Sequence, residues 1–525
     1  MNTKSKNVTR KSTRDSCGLM AIFVAYFTAF FVISTINIAL PGIAAELDGM
    51  PLYSWAISIP ALASAFMTLI FGKLSDMYGR RLLLLVSMGF VLLGAILSAV
   101  SQTFIFLIIS LGIIGLGQGA IAPLCFSVLG DMFEPYERGK WAGLLNISSG
   151  ITAFIGPTLS GWFVDNLSWR YIFWIDIPFV ILSGVVVLMG LPSLGQRAAH
   201  KIDIRGSVYL AVATSTMILS FSWAGAAYPW VSLQVIGLLA ISAVFWALFL
   251  QIETRAAEPM LDPKVLTNRT FITVSLAALM SFFGLTAIMV YFPLFLQGVQ
   301  NTSATLSGKI ITPFSVLMSF MGIPAGLLIS RTRHYKWMYI GGYAILAIAL
   351  FGTVALTAQT SLGWELVVSI VAGIGLGAIP TINALVVQYA VPKRLLGVAT
   401  GGLYFFVMMG RAIAPAILGS AMNASYARTL AKLMPASLHQ SVDSATLASL
   451  SNPRVLLSAP VMAALQKTFE GIGTQGPVLF AQTIQAIRNS METALRTVFL
   501  IGAITMLVSF LLIITIPENT LGEEG

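Results

Sequence analysis

The residues best placed to do chemistry are ionisable groups set between or within long apolar runs. Residues 72–81 read Gly-Lys-Leu-Ser-Asp-Met-Tyr-Gly-Arg-Arg, between uncharged runs at 54–71 and 82–100. A carboxylate and two guanidinium groups at this spacing can form a charge-assisted latch. Asp76 can cap a helix end and accept hydrogen bonds from Arg80 or from a facing element, with Arg81 beside it. Gly72 and Gly79 permit the tight turn that this needs. Asp176, Glu365, Lys309 and Arg411 fall inside apolar runs. Asp176, Glu365 and Lys309 lie near the ends of their runs, where a side chain can reach water. Arg411 lies 14 residues past Gly397, about 21 Å along a helix. An arginine near mid-membrane costs about 2.5–3.5 kcal/mol, so this position calls for a partner such as Glu365 or for a water-filled cavity. Asp131, Asp176 and Glu365 are the carboxylates available to carry a proton.

Other chemistries find no constellation. His200, His334 and His439 fall in predicted loops, and no metal-ligand spacing or phosphate-binding loop occurs. No metal, cofactor or enzymatic activity is expected, and ATP is not the expected energy source. The glycine-rich run 115–119 lies within a predicted helix and is not a phosphate loop.

The elements that must position these residues are membrane helices. Hydrophobic residues make up 57% of the chain, charged residues 10%, and the mean hydropathy is +0.88, which excludes a soluble globular domain. About 20 apolar residues span the hydrocarbon. Fourteen runs qualify: 17–42, 54–72, 82–101, 104–131, 139–164, 171–191, 206–224, 231–252, 270–298, 307–330, 337–357, 363–390, 397–421 and 496–516. The net charge of +10 reflects topology, not a nucleic-acid surface. Lys4, Lys6, Arg10, Lys11 and Arg14 precede the first run. Arg80 and Arg81, Arg138 and Lys140, Arg197 and Lys201, and Arg331, Arg333 and Lys336 follow later runs on the same side. The positive-inside rule then puts both termini in the cytoplasm. The first run is too long for a cleaved signal peptide, and Cys17 and Cys125 are expected to be packing thiols.

An internal repeat organises the runs. Ile114-Gly115-Leu116-Gly117-Gln118-Gly119-Ala120-Ile121-Ala122-Pro123 recurs, shortened, as Ile374-Gly375-Leu376-Gly377-Ala378-Ile379-Pro380. A degenerate copy of 72–81 runs from Gly326 through Arg331 to Lys336. Both matches are offset by eight runs, which two parallel six-helix halves plus an inserted pair explain. The expected organisation is a basic cytoplasmic N-terminus (1–16), a six-helix bundle (17–191), a linker with two extra spans (192–269), a second bundle (270–516) and a cytoplasmic tail (517–525). The second bundle includes an extracytoplasmic connection, 422–494, with helix-like stretches at 459–470 and 477–494.

This pattern resembles the major facilitator superfamily, and within it the fourteen-helix drug:proton antiporter branch. The resemblance implies that residues 72–81 form that family's cytoplasmic motif, whose acid bridges helix ends and whose basic residues latch two bundles in the outward-facing state. Gly150, Gly156, Pro157 and Gly161 resemble the antiporter motif. Ser168-Trp169-Arg170, Ile202-Asp203 with Gly206, Glu258-Pro259 running to Asn268-Arg269-Thr270-Phe271, and Tyr291-Phe292-Pro293-Leu294 resemble branch landmarks. Two departures fall where that branch usually carries charge. Val32 stands at the acidic position of the first helix, and Leu111 stands where an arginine precedes the glycines of the fourth, with Ile114 in place of a common glutamine.

Asn37, Gln118, Asn146, Tyr291, Asn383, Gln388 and Tyr404 are candidates for lining a cavity together with Arg411, since each buried amide or hydroxyl needs a partner. Met408 and Met409 would suit an adaptable pocket. The expected function is export of amphipathic small molecules across the inner membrane by a monomer coupled to protons. Two other readings stay open: an exporter of organic anions or lipids not coupled to protons, and a non-transporting receptor or scaffold that uses 422–494.

Overall fold

The apolar runs become helices because a backbone in hydrocarbon must satisfy its own N–H and C=O groups. A computed structural model describes residues 2–47, 52–191, 204–225, 228–255, 262–302, 304–435, 450, 459–470 and 476–517. Its elements are α1 (Asn2–Glu46), α2 (Tyr53–Tyr78), α3 (Arg80–Ala99), α4 (Phe104–Met132), α5 (Pro135–Asn166), α6 (Arg170–Gly190), α7 (Ile204–Trp223), α8 (Leu233–Glu253), α9 (Pro263–Leu266), α10 (Arg269–Thr286), α11 (Phe292–Gly298), α12 (Ala304–Phe320), α13 (Gly322–Thr332), α14 (Lys336–Val354), α15 (Leu362–Tyr389), α16 (Leu396–Leu433), α17 (Ala459–Glu470) and α18 (Gly476–Ile514). A π-helical turn, Ala287–Tyr291, joins α10 to α11. It ends just before Pro293, whose missing N–H breaks the regular ladder.

The side chains of residues 1–16 and those of Asn37, Pro157 and Gly161 lie outside the described residues. So do Arg197, His200, Lys201, Ile202-Asp203, Glu258-Pro259, His439 and the C-terminal tail from 518.

Among the described residues, 13 helical segments are long and apolar enough to cross a membrane. α10 and α11 count as one of these, and α12 and α13 as another. α5 is not in the set. Its 32 residues open with Glu137, Arg138 and Lys140 and continue through small and polar residues. Large apolar side chains such as Met189, Val231 and Leu233, each more than 80% exposed, face outward, as lipid-facing residues must.

α1 packs with α4, α5 and α6, while α3 packs with α4 and α6. A second group joins α10, α12, α14, α15, α16 and α18. The two groups meet along α2–α16 and α5–α13, and the α7–α8 pair leans on α2 and α16. The glycine repeat has a matching packing role in both groups. A Cβ on Gly115 or Gly119 would strike the α2 backbone, and one on Gly117 the backbone of α3. On α15, Gly373 and Gly377 abut α12, and Gly375 abuts α14.

The structure has a helix at the stretch expected over 477–494 and extends the preceding span into the connection 422–494. α16 continues through 422–433, and 476–494 is the start of α18, so both ends of that segment are extensions of spans. At 38 and 39 residues these helices run about 57 Å, nearly twice the hydrocarbon thickness. Met422, Tyr426 and Leu430 bury one face of the first extension, and Leu479, Thr483, Ile487 and Met491 one face of the second. The Ser425 and Thr497 hydroxyls lie 3.1 Å apart between them. α17 matches the helical stretch expected at 459–470. It sits on α18 with the Phe469 and Phe480 rings 5.5 Å apart.

Candidate functional site: a sealed basic end and a cavity beyond it

The end of the molecule carrying Arg80, Arg138 and Arg331 is closed by two seams. In the first, a Cβ on Gly72 of α2 would lie 2.8 Å from the Gly397 carbonyl oxygen of α16, so only glycine allows this approach. Gly79 adopts a left-handed φ of 93° at the turn into α3. This turn brings Asp76 to the start of α16, where its carboxylate accepts from the N–H groups of Gly397 at 3.2 Å and Val398 at 3.1 Å. These are first-turn amides, whose N–H groups lack intrahelical partners and carry the positive end of the helix dipole. Arg80 is buried and pairs with Asp76 at 2.5 Å and with Asp131 at 2.9 Å, and it also donates to the Ser75 hydroxyl. The acid therefore makes the crossing hydrogen bonds and Arg80 braces it, which differs from the expected latching by the basic residues. Arg81 has no hydrogen bond or ion pair to a described residue. Asp131, one of the expected proton-carrier candidates, is part of this cluster.

The second seam joins α5 to α13. A Cβ on Gly326 would collide with the backbone of Gly139, and one on Gly143 with that of Gly322. Arg138 closes the end of α4 by donating to the carbonyls of Phe133 at 2.9 Å and Gly130 at 2.6 Å. Gly150 lets α5 approach Ser319 of α12, and Gly156 lets it approach Ser34 of α1.

Above the seams lies a layer of paired polar groups. The Tyr26 hydroxyl donates to Asn146 Oδ1 at 3.5 Å, and Asn146 Nδ2 donates to the Thr381 hydroxyl at 2.8 Å, linking α1, α5 and α15. Gln388 donates to the Phe126 carbonyl at 3.0 Å, and the Tyr404 ring lies 5.7 Å from that of Phe126. Asn383 accepts from Tyr339, and the Tyr291 hydroxyl lies against Gly419. Asn146, Tyr291, Asn383, Gln388 and Tyr404 were expected on a cavity wall and instead occupy helix–helix contacts.

The cavity, of ≈ 470 Å³, lies in the half of the molecule away from the basic end. Its walls come from α1 (Ile33, Ile36, Leu40), α2 (Ile57 to Ser64), α4 (Leu111, Ile114, Gln118), α7 (Ile218, Ser222) and α16 (Met408 to Asn423). Of the candidate residues, Gln118 and Arg411 reach it. Leu111 and Ile114, which depart from the family pattern, also line it. Most polar wall groups are engaged. Ser58 and Ser222 share a hydrogen bond of 2.7 Å, Ser64 donates to the Gly115 carbonyl at 3.0 Å, and Gln118 donates to the Ala29 carbonyl at 3.4 Å. Arg411 is exposed to the cavity and has no hydrogen bond or ion pair to a described residue. Glu365, considered above as its partner, is buried at the start of α15, with both carboxyl oxygens unpaired. Asp176 is fully buried on α6 beside Thr35. The Thr35 hydroxyl donates instead to the carbonyls of Phe31 and Val32, at 3.2 and 3.0 Å, leaving the Asp176 oxygens without a hydrogen bond.

A family model described as Major Facilitator Superfamily matches residues 22–415. The chain belongs to the Major Facilitator Superfamily. It is 32% identical over 414 residues to the uncharacterized MFS-type transporter Rv1877 of Mycobacterium tuberculosis, covering 77% of this chain and 60% of that one. The chain thus spans less than two thirds of that relative's length. The Multidrug transporter protein MdtP of Bacillus subtilis is 28% identical, with 95% of this chain and 92% of MdtP covered. Among solved structures, the proton:xylose symporter XylE aligns with a TM-score of 0.58 at 12% identity, covering 97% of this chain and 98% of XylE. That likeness establishes the fold alone. The chain is accordingly a multi-pass membrane protein of this superfamily, helical through nearly all of its described residues, with multidrug and efflux proteins among its relatives.

Sequence reasoning missed Ser58 and Ser222, which α2 and α7 bring together on the cavity wall. The serine spacing gives no sign of this contact. Gly397 and Val398 were missed as the donors to Asp76, because a backbone N–H carries no signal in residue type.

Proposed function

We propose that the protein is a fourteen-helix secondary transporter that exports amphipathic compounds by alternating access, coupled to proton entry. In this reading α5 is the fourteenth span, α1–α6 and the six spans from α10 to α18 are the two rocking bundles, and α7 and α8 are an inserted pair. Both termini face the cytoplasm of a monomer in the inner membrane. The observation that carries the reading is the joint geometry of seal and cavity. The basic end is closed by Asp76 on the first turn of α16, while the cavity lies beyond it between helices of both groups. This arrangement suits an outward-facing state, and breaking the Asp76 contact would admit substrate from the cytoplasm.

Asp176 is the favoured proton carrier. Val32 removes the acid usual on the first helix, and Asp176 puts a carboxyl group beside Thr35, within one turn of Val32 on the same helix. A buried carboxyl without a partner is costly and usually retained for function. Asp131 is engaged with Arg80, and Glu365 lies at the start of α15, in the other helix group from α1.

The test is accumulation of amphipathic dyes into inverted vesicles under an inside-acid gradient. Uptake should collapse when the gradient is dissipated, and Asp176→Asn should abolish gradient dependence while gradient-independent exchange persists. Gradient-dependent uptake by Asp176→Asn would overturn the assignment of the carrier. No movement of any dye would favour a receptor or scaffold.

A further inference from the structure

We propose that the cavity is a binding site for amphipathic anions, in which Arg411 holds a carboxylate or sulfonate head and the surrounding wall takes the apolar body. This rests on reading the cavity as the transport site. The described residues that line it include no aspartate, no glutamate and no aromatic ring. A cationic amphiphile would therefore meet neither a counter-charge nor a π face there, and would lie beside the like charge of Arg411.

The arginine itself points the same way. Its guanidinium opens into the cavity and lacks a described protein partner, although an unpaired charge at membrane depth is expensive. A planar fork of N–H donors matches a carboxylate in two parallel hydrogen bonds. Pro415, also on the cavity wall, cannot donate to the Arg411 carbonyl four residues earlier, which loosens the helix at this position. Leu111, Ile114 and Ile36 contribute apolar surface to the lining and Met408 an adaptable part of it. The volume of ≈ 470 Å³ falls in the usual range for small-molecule sites of about 300–1,000 Å³. The family's usual base, absent at Leu111, thus has a counterpart on α16 in the lining of the same cavity.

Equilibrium binding to the purified full chain in zwitterionic nanodiscs tests this without any gradient. The probe is 11-(dansylamino)undecanoate, displaced by dodecanoate or by dodecyltrimethylammonium. Dodecanoate should compete at least ten-fold better than the cation. Arg411→Ala should weaken the anion ten-fold or more, and Arg411→Lys should restore most of the loss. Should Arg411→Ala fold poorly, protection of an Ala416→Cys variant from a maleimide by dodecanoate, and not by the cation, replaces it as the readout. Displacement of the probe by phosphatidylglycerol would support the site with a lipid as its occupant. Equal competition by the cation, or unchanged binding in Arg411→Ala, would overturn the proposal. Because no gradient is imposed, anion binding without proton-driven transport would sink the coupling reading and leave this one standing.

Discussion

The sealed basic end and the cavity treat buried charge in opposite ways. At the basic end, Asp76, Arg80 and Asp131 satisfy one another, and the spare carboxylate capacity goes to two amides of the facing helix. In the cavity, Arg411 stands without a described partner against a wall of aliphatic side chains. Charge that is satisfied within the protein stabilises one conformation. Charge that is left open in a cavity awaits a ligand, because the guanidinium gains most when an oxyanion completes its donors. The charged residues of this chain thus divide by job: one set sets the equilibrium between states, and the other reads what enters.

The comparison breaks most severely at Asp76. Hydrogen bonds to a charged group contribute about 1.5–3 kcal/mol each, so Asp76→Ala should shift the ratio of closed to open basic ends by at least about ten-fold. Export into inverted vesicles should fall by a similar factor, and an Ala416→Cys label should become reachable from the cytoplasmic side. Unchanged labelling would mean that the seam does not set the equilibrium. A smaller effect is expected at the second seam. Gly326→Ala drives a Cβ into the Gly139 backbone, and overpacking typically costs about 1–3 kcal/mol. Export should drop several-fold with the same gain in cytoplasmic labelling, while Gly341→Ala, whose Cβ meets open space, should be neutral in both assays.

Much of this division was legible in the sequence. Apolar runs and the alternation of basic residues located the helices, because bilayer thickness and backbone satisfaction leave few alternatives. Residues 72–81 announced an ionic contact at a turn. The partner was less visible, since the donors to Asp76 are a pair of backbone N–H groups, and backbone groups leave no mark in composition. The same limit explains the misplaced amides. Gln118 and Asn146 look alike in sequence, each a polar residue in an apolar helix. One reaches the cavity and the other links α1, α5 and α15, and that depends on the rotation and tilt of packed helices, which glycine contacts set to within fractions of an ångström. The helical stretches at 459–470 and 477–494 were legible, but the continuation of α16 to Leu433 was not, because a helix that outruns the bilayer changes to mixed composition where it emerges.

A milder response is expected between the two regions. The layer between seal and cavity is bonded by neutral groups, with Asn146 donating to Thr381 at 2.8 Å across the two helix groups. Interhelical hydrogen bonds of this kind average about 0.6 kcal/mol in membranes, because the separated helices find other partners. A double-mutant cycle of Asn146→Ala and Thr381→Val, read by thermal stability, should therefore return a coupling near that value. The same substitutions should change export less than about three-fold, a factor that corresponds to the same energy. A coupling of several kcal/mol would move the conformational latch from the charged end to this layer. A weak coupling keeps the layer as a hinge that both states can tolerate, with Asp76 holding the closed end.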